Sequence, residues 1–95
     1  MMYLSELGFS NDVIELMSNN IPELAKQMIE EQEKTVTKNI NYLKELGVTN
    51  YVDAFQRFYN MFLLSNDEFE DIFSKYDRED LVEKLENNIA IMEYL

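Results

Sequence analysis

The sequence predicts an all-α protein, a helical-repeat-like bundle of about two and a half helix-pair units in a single domain. Three observations lead there. The segment Tyr3-Leu4-Ser5-Glu6-Leu7-Gly8-Phe9-Ser10-Asn11 recurs 39 residues later as Tyr42-Leu43-Lys44-Glu45-Leu46-Gly47-Val48-Thr49-Asn50, and both glycines of the chain lie in it. Apolar residues elsewhere recur at three- and four-residue spacing, the period of a helix with one buried face. No stretch alternates with period two between hairpin-type turns, so no sheet is expected. A fainter echo, Asp12 to Ile21 against Asp80 to Ile89 with one gap, opens a third unit. The units then run over about 3–41, 42–76 and 77–95, each relying on its neighbour to complete a core.

Taken in order, Leu4 and Leu7 form a short amphipathic opening segment, which Gly8 stops because a residue without Cβ adopts positive φ at little cost. Ser10 is placed to cap a helix running to about Asn20, with Val13, Ile14, Leu16, Met17 and Ile21 as its apolar stripe. Pro22, the only proline, suits the first turn of the next helix. From Pro22 to Leu46, at about 100° per residue from Lys26, Ile21, Leu24, Ala25, Met28, Ile29, Val36, Ile40, Tyr42, Leu43 and Leu46 fall between about 160° and 320°. One long helix, or two nearly collinear ones, satisfies that arc. Gln32, Thr35 and Asn39 intrude on it, so that in the two-helix form the break is expected near Thr35 to Thr37. Gly47 stops this helix and Thr49 is placed to cap the following one, whose apolar positions are Val52, Phe55, Phe58, Tyr59 and Phe62. Ser65 and Glu68 have the spacing of a capping box, opening a helix with Phe69, Ile72, Phe73 and Tyr76 on its buried face. Asp77 caps a last helix striped by Leu81, Val82, Leu85 and Ile89.

The chain has 95 residues, enough for one modest core with a folded surface of roughly 5,700 Å². Its 19 acidic and 8 basic residues give a net charge of −11, of which −4 falls on residues 1–48 and −7 on residues 49–95. Such charge repels nucleic-acid backbones and anionic membranes and favours basic or apolar protein partners. There is no cysteine, hence neither a disulfide framework nor a thiolate site. No apolar run of about 18 residues and no basic leader followed by an apolar one occur, so a soluble, cytoplasmic protein without membrane contact is the expectation.

Lys38-Asn39-Ile40-Asn41-Tyr42-Leu43-Lys44-Glu45-Leu46-Gly47-Val48-Thr49, preceded by Asn20-Ile21-Pro22-Glu23-Leu24 and followed by Phe62-Leu63-Leu64-Ser65, resembles the repeat of the mitochondrial transcription termination factor family. The resemblance implies units of two α-helices and a short 3₁₀ turn, stacked in that family into a superhelix whose basic concave face holds nucleic acid. This chain departs from the pattern in having fewer units, in reading Met61-Phe62-Leu63 where a second Pro-x-Leu would stand, and in being acidic. The fold expectation survives those departures; the nucleic-acid function does not follow from it.

Histidine is absent, which removes the commonest general base and the familiar triad and zinc signatures. No catalytic residue, cofactor or metal site is predicted. Asp67, Glu68, Glu70 and Asp71 are the densest acidic set, and the first turn after a Ser65 cap explains acids there through the helix dipole. The EF-hand spacing and its central glycine are missing. Lys26, Lys34, Lys38 and Lys44 share one helical arc, but Glu23, Glu30, Glu31 and Glu45 share it too, as on a solvated mixed face. Phe58 and Tyr59 are adjacent and about 100° apart, so one small neighbour cannot bury both; core packing and a partner groove both stand as readings. The final residues Ile91, Met92, Tyr94 and Leu95 form an apolar end that either folds back or docks on another molecule, giving a weak homodimer or a partner site.

The expected function is therefore a non-catalytic protein-interaction or adaptor module whose partner surface draws on these acidic, aromatic and terminal residues. The alternative is a nucleic-acid-associated protein, either a termination-factor-like binder or an acidic DNA mimic. Duplex DNA shows one charge per about 1.7 Å, or roughly 20 over 35 Å, and a net −11 reaches about half of that.

Overall fold

The computed structural model describes residues Met1–Leu95. A 3₁₀ segment (Met2–Leu7) leads into α1 (Asn11–Asn20), α2 (Glu23–Glu31), α3 (Glu33–Leu46) and α4 (Tyr51–Phe58). A second 3₁₀ turn (Met61–Leu63) precedes α5 (Asn66–Ser74) and α6 (Arg78–Asn87), and a third (Ile89–Tyr94) closes the chain. There is no strand, as the periodicity requires. The 5728 Å² surface matches that expected of one folded domain of this mass, so no element stands away from the rest.

The caps explain where the helices begin. Ser10, Ser65 and Asp77 accept from the backbone N–H of Val13, Glu68 and Asp80 at 3.2, 3.2 and 3.1 Å, each satisfying an amide the helix leaves free. Ser65 also donates to the Glu68 carboxylate at 2.9 Å. Pro22 lies one position outside the predicted first turn, as the N-cap residue of α2. Thr49 does not cap α4. Asn50 is the N-cap residue there, without a side-chain cap bond, because both polar groups of Thr49 are taken by Glu86. Gly8 and Gly47 stop their helices in the left-handed conformation, with φ of 101° and 104°. Beyond each stop the chain bonds back alike, Phe9 N–H to the Leu4 carbonyl at 3.2 Å and Val48 N–H to the Leu43 carbonyl at 3.1 Å.

α3 is the axis of the bundle, packed by the first 3₁₀ segment, α2, α4, the second 3₁₀ turn and α5. Of the two forms the apolar arc allowed, the chain takes the second, two helices, with the break at Gln32 (φ −104°, ψ 35°) rather than near Thr35 to Thr37. Bonds close on both sides of it, Gln32 N–H to Met28 and Val36 N–H to Gln32, each 2.9 Å. The polar intrusions that suggested a later break have another use. Asn39 is fully buried and donates to the carbonyls of Phe62 and Leu64, each at 3.0 Å. Asn66 in turn donates to Asn39 Oδ1 at 2.8 Å and to the Thr35 carbonyl at 3.1 Å. The irregular turn before α5 would otherwise bury unpaired carbonyls, each costing about 1–3 kcal/mol.

Nineteen of the twenty buried residues are apolar, Asn39 being the exception. Through them runs an aromatic column: Phe9, Phe55, Phe62, Phe69 and Phe73 touch in sequence at centroid separations of 5.5, 5.1, 5.0 and 4.9 Å. Tilted and edge-on pairs of this kind each contribute about 0.5–1.5 kcal/mol beyond their buried area. Leu16, Leu24 and Tyr76, assigned to apolar stripes by periodicity, are exposed. Leu24 is at the start of α2 and Tyr76 lies two residues beyond the end of α5, while Leu16 stands about 160° around α1 from buried Ile14.

Candidate interaction surface

α5 and α6 pack on one another and, with the link between them, carry nearly half of the acid. From Asn66 to Asn87 there are nine Asp and Glu residues against Lys75, Arg78 and Lys84. Two of those cations are already used within the molecule. Lys84 pairs with Asp80 at 2.9 Å, while Arg78 donates to the Glu45 and Leu46 carbonyls at 2.6 and 3.3 Å. Asp67 and Glu68 occupy the first turn of α5, and Glu79 and Asp80 that of α6, where the helix dipole favours them. Glu70, Asp71 and Glu83 have no such local reason, and none makes a side-chain hydrogen bond or ion pair within the protein.

The sequence-predicted residues divide accordingly. Asp67, Glu68 and Asp71 are exposed and Glu70 is half-buried. Around α5 they stand at about 0°, 100°, 40° and 300°, spread over the helix, and no group of three acidic side chains in the protein could hold a metal ion. Glu70 faces α3 across a shallow groove that also includes Lys34, Lys38, Tyr42 and Glu45. Burial, and then the nearby Glu70 charge, raises the Tyr42 phenol above its ordinary value, with Arg78 opposing the shift.

Phe58 and Tyr59 end α4 half-buried against the core. Neither lines any of the four surface concavities, so the groove reading loses its cleft. The terminal segment folds back on α4 and α6. Met92 is withdrawn from the predicted surface, being 1% exposed and part of the core, and Ile91 and Leu95 are half-buried beside it. Tyr94 alone of that set stands out, at 81% exposure. One exposed ring is well short of a contiguous patch. No helix is long and apolar enough to cross a membrane.

Sequence reasoning passed over the corner at Gly47, where α6 meets α3 and α4. Glu86 accepts from the Thr49 backbone N–H at 2.5 Å and from the Thr49 hydroxyl at 2.6 Å, and the hydroxyl bond, then the N–H bond, lower its carboxyl below the usual range. Asn50 Nδ2 donates to the Leu85 carbonyl at 2.9 Å. All of these contacts span 32 to 37 residues in sequence, and no local spacing announces them.

The chain matches no protein-family model, no curated protein and no solved structure. The resemblance to the termination-factor repeat thus rests on residues 20–24, 38–49 and 62–65 alone.

Proposed function

We propose that the protein is a non-catalytic interaction module that presents the acidic α5–α6 pair to a basic protein partner. The observation supporting this reading is segregation of charge: the segment from Asn66 to Asn87 carries nine acids and three bases, two of the bases are engaged internally, and Glu70, Asp71 and Glu83 are left without intramolecular partners. Basic residues docking there meet complementary potential, which raises the encounter rate and selects against acidic competitors. Direct nucleic-acid binding draws no comparable support, because Lys34 and Lys38 of α3 are flanked by Glu33 and Glu45 and share the α3–α5 groove with Glu70. The test uses the parent and an Asp71→Asn/Glu70→Gln/Glu83→Gln variant as baits for proteins of the source cell, with a duplex-DNA gel shift alongside. A basic protein held by the parent, eluted by salt and lost from the variant supports the module. Equal capture by both baits, or a saturable DNA shift at physiological salt, overturns it.

A further inference from the structure

α6 grips the turn between α3 and α4 from both sides. Near its start, Arg78 binds the Glu45 and Leu46 carbonyls that α3 leaves free; near its end, Glu86 binds the N–H and hydroxyl of Thr49, one residue before the N-cap of α4. The signs suit both positions, a cation on a helix C-terminus and an anion at a helix N-terminus. Asn50 gives α4 no side-chain cap, being turned to Leu85, so Glu86 is the polar anchor of that end.

Two features make this anchor exchangeable. Thr49 and Glu86 are both exposed, so an incoming cation reaches the carboxylate without opening the core. Glu83 precedes Glu86 by three residues, which places the two side by side on the helix surface. A basic segment drawn to unpaired Glu83 therefore arrives next to the carboxylate that holds the turn, and a guanidinium offers it two charge-assisted bonds in place of two bonds to Thr49.

We propose that Glu86 is a shared acceptor, holding the Gly47 turn closed in the free protein and passing to a basic segment of a protein partner when that partner docks on α6. The inference rests on the acidic-surface reading and adds a consequence: docking on one helix loosens the joint between two others. Coupling of this kind is reciprocal, so weakening the Thr49 bonds strengthens docking.

The test is a ¹⁵N NMR titration of the whole chain with the peptide amide Arg-Ala-Arg-Ala-Arg-Ala, repeated on Thr49→Val. The expected result is a saturable shift of the Glu83 and Glu86 amides, a rise of about tenfold in Thr49 amide exchange at saturation, and binding to Thr49→Val about fivefold tighter. Shifts along α6 with an unmoved Thr49 amide and equal affinity for the variant overturn the exchange while leaving the acidic surface standing. Absence of any shift on α6 removes both. The wild-type amide readout keeps the test decisive if the variant is poorly folded.

Discussion

Gly8 and Gly47 make the same turn in different surroundings. Their dihedrals agree to within a few degrees (φ 101° and 104°, ψ 8° and 10°), and the residue after each is buried. A Cβ on Gly8 would collide with the Tyr51 hydroxyl, whereas one on Gly47 would meet only Val82 Cγ1 at 3.9 Å, an ordinary contact. The Tyr51 hydroxyl is held there by its bond to the Leu7 carbonyl at 2.9 Å, which also accepts from Lys44 at 3.3 Å. The first stop is thus locked from outside by α4, while the second is spanned by the exposed bonds of α6. The same short sequence dictates the same backbone, and the long-range partner decides what the position tolerates.

The largest expected effect is at the locked stop. Gly8→Ala adds left-handed strain of about 1–2 kcal/mol and also displaces the Tyr51 hydroxyl, worth about 1 kcal/mol in lost hydrogen bonding. Denaturant unfolding should show a loss of about 2–3 kcal/mol. Gly47→Ala carries the strain alone and should cost about 1–2 kcal/mol, with Gly47→Val at least as much because its branched Cβ adds crowding. Equal losses for the two alanine variants would erase the distinction between the stops.

A double-mutant cycle sharpens it. In a Tyr51→Phe background the hydroxyl is gone, so Gly8→Ala should become milder by about 1 kcal/mol, while Gly47→Ala should cost what it does in the parent. Additivity at Gly8 would show that Tyr51 does not lock it.

The smallest effect is a pH dependence confined to the second stop. The folded-state pKa of Glu86 lies below the ordinary value of a glutamate because Thr49 bonds its charged form. Its contribution is therefore present above that value and is lost as pH falls through the lower, folded-state pKa. The melting-temperature gap between the parent and Thr49→Val should narrow on acidification from neutral pH to below about pH 4. A gap that is constant across that range would mean the Thr49 bonds are lost to solvent in solution.

The legible parts of the molecule are those set by neighbours in sequence. Ser10, Ser65 and Asp77 cap the helices their spacing predicts, since a side-chain oxygen reaches only the amides two or three residues on. The illegible parts are those in which a polar residue chooses between a local and a distant partner. Thr49 has the spacing of a cap yet binds Glu86, and Asn39 reads as an interruption yet pairs the turn at Phe62 and Leu64. The predicted surface failed similarly at Met92, whose burial depends on α4 and α6 lying close enough to receive the terminal turn.

By itself the sequence determined the all-helical class, the two left-handed stops, most helix starts and the excess of acid in the second half. Dihedral preference, capping and charge are properties of single residues and their near neighbours. Only the tertiary structure decided that the long apolar arc is broken at Gln32, that Arg78 and Glu86 span the Gly47 turn, and that a Cβ on Gly8 would collide with the Tyr51 hydroxyl while one on Gly47 would meet only an ordinary contact. Those outcomes rest on contacts between elements many residues apart, where several partners satisfy the same donor or acceptor and packing selects among them.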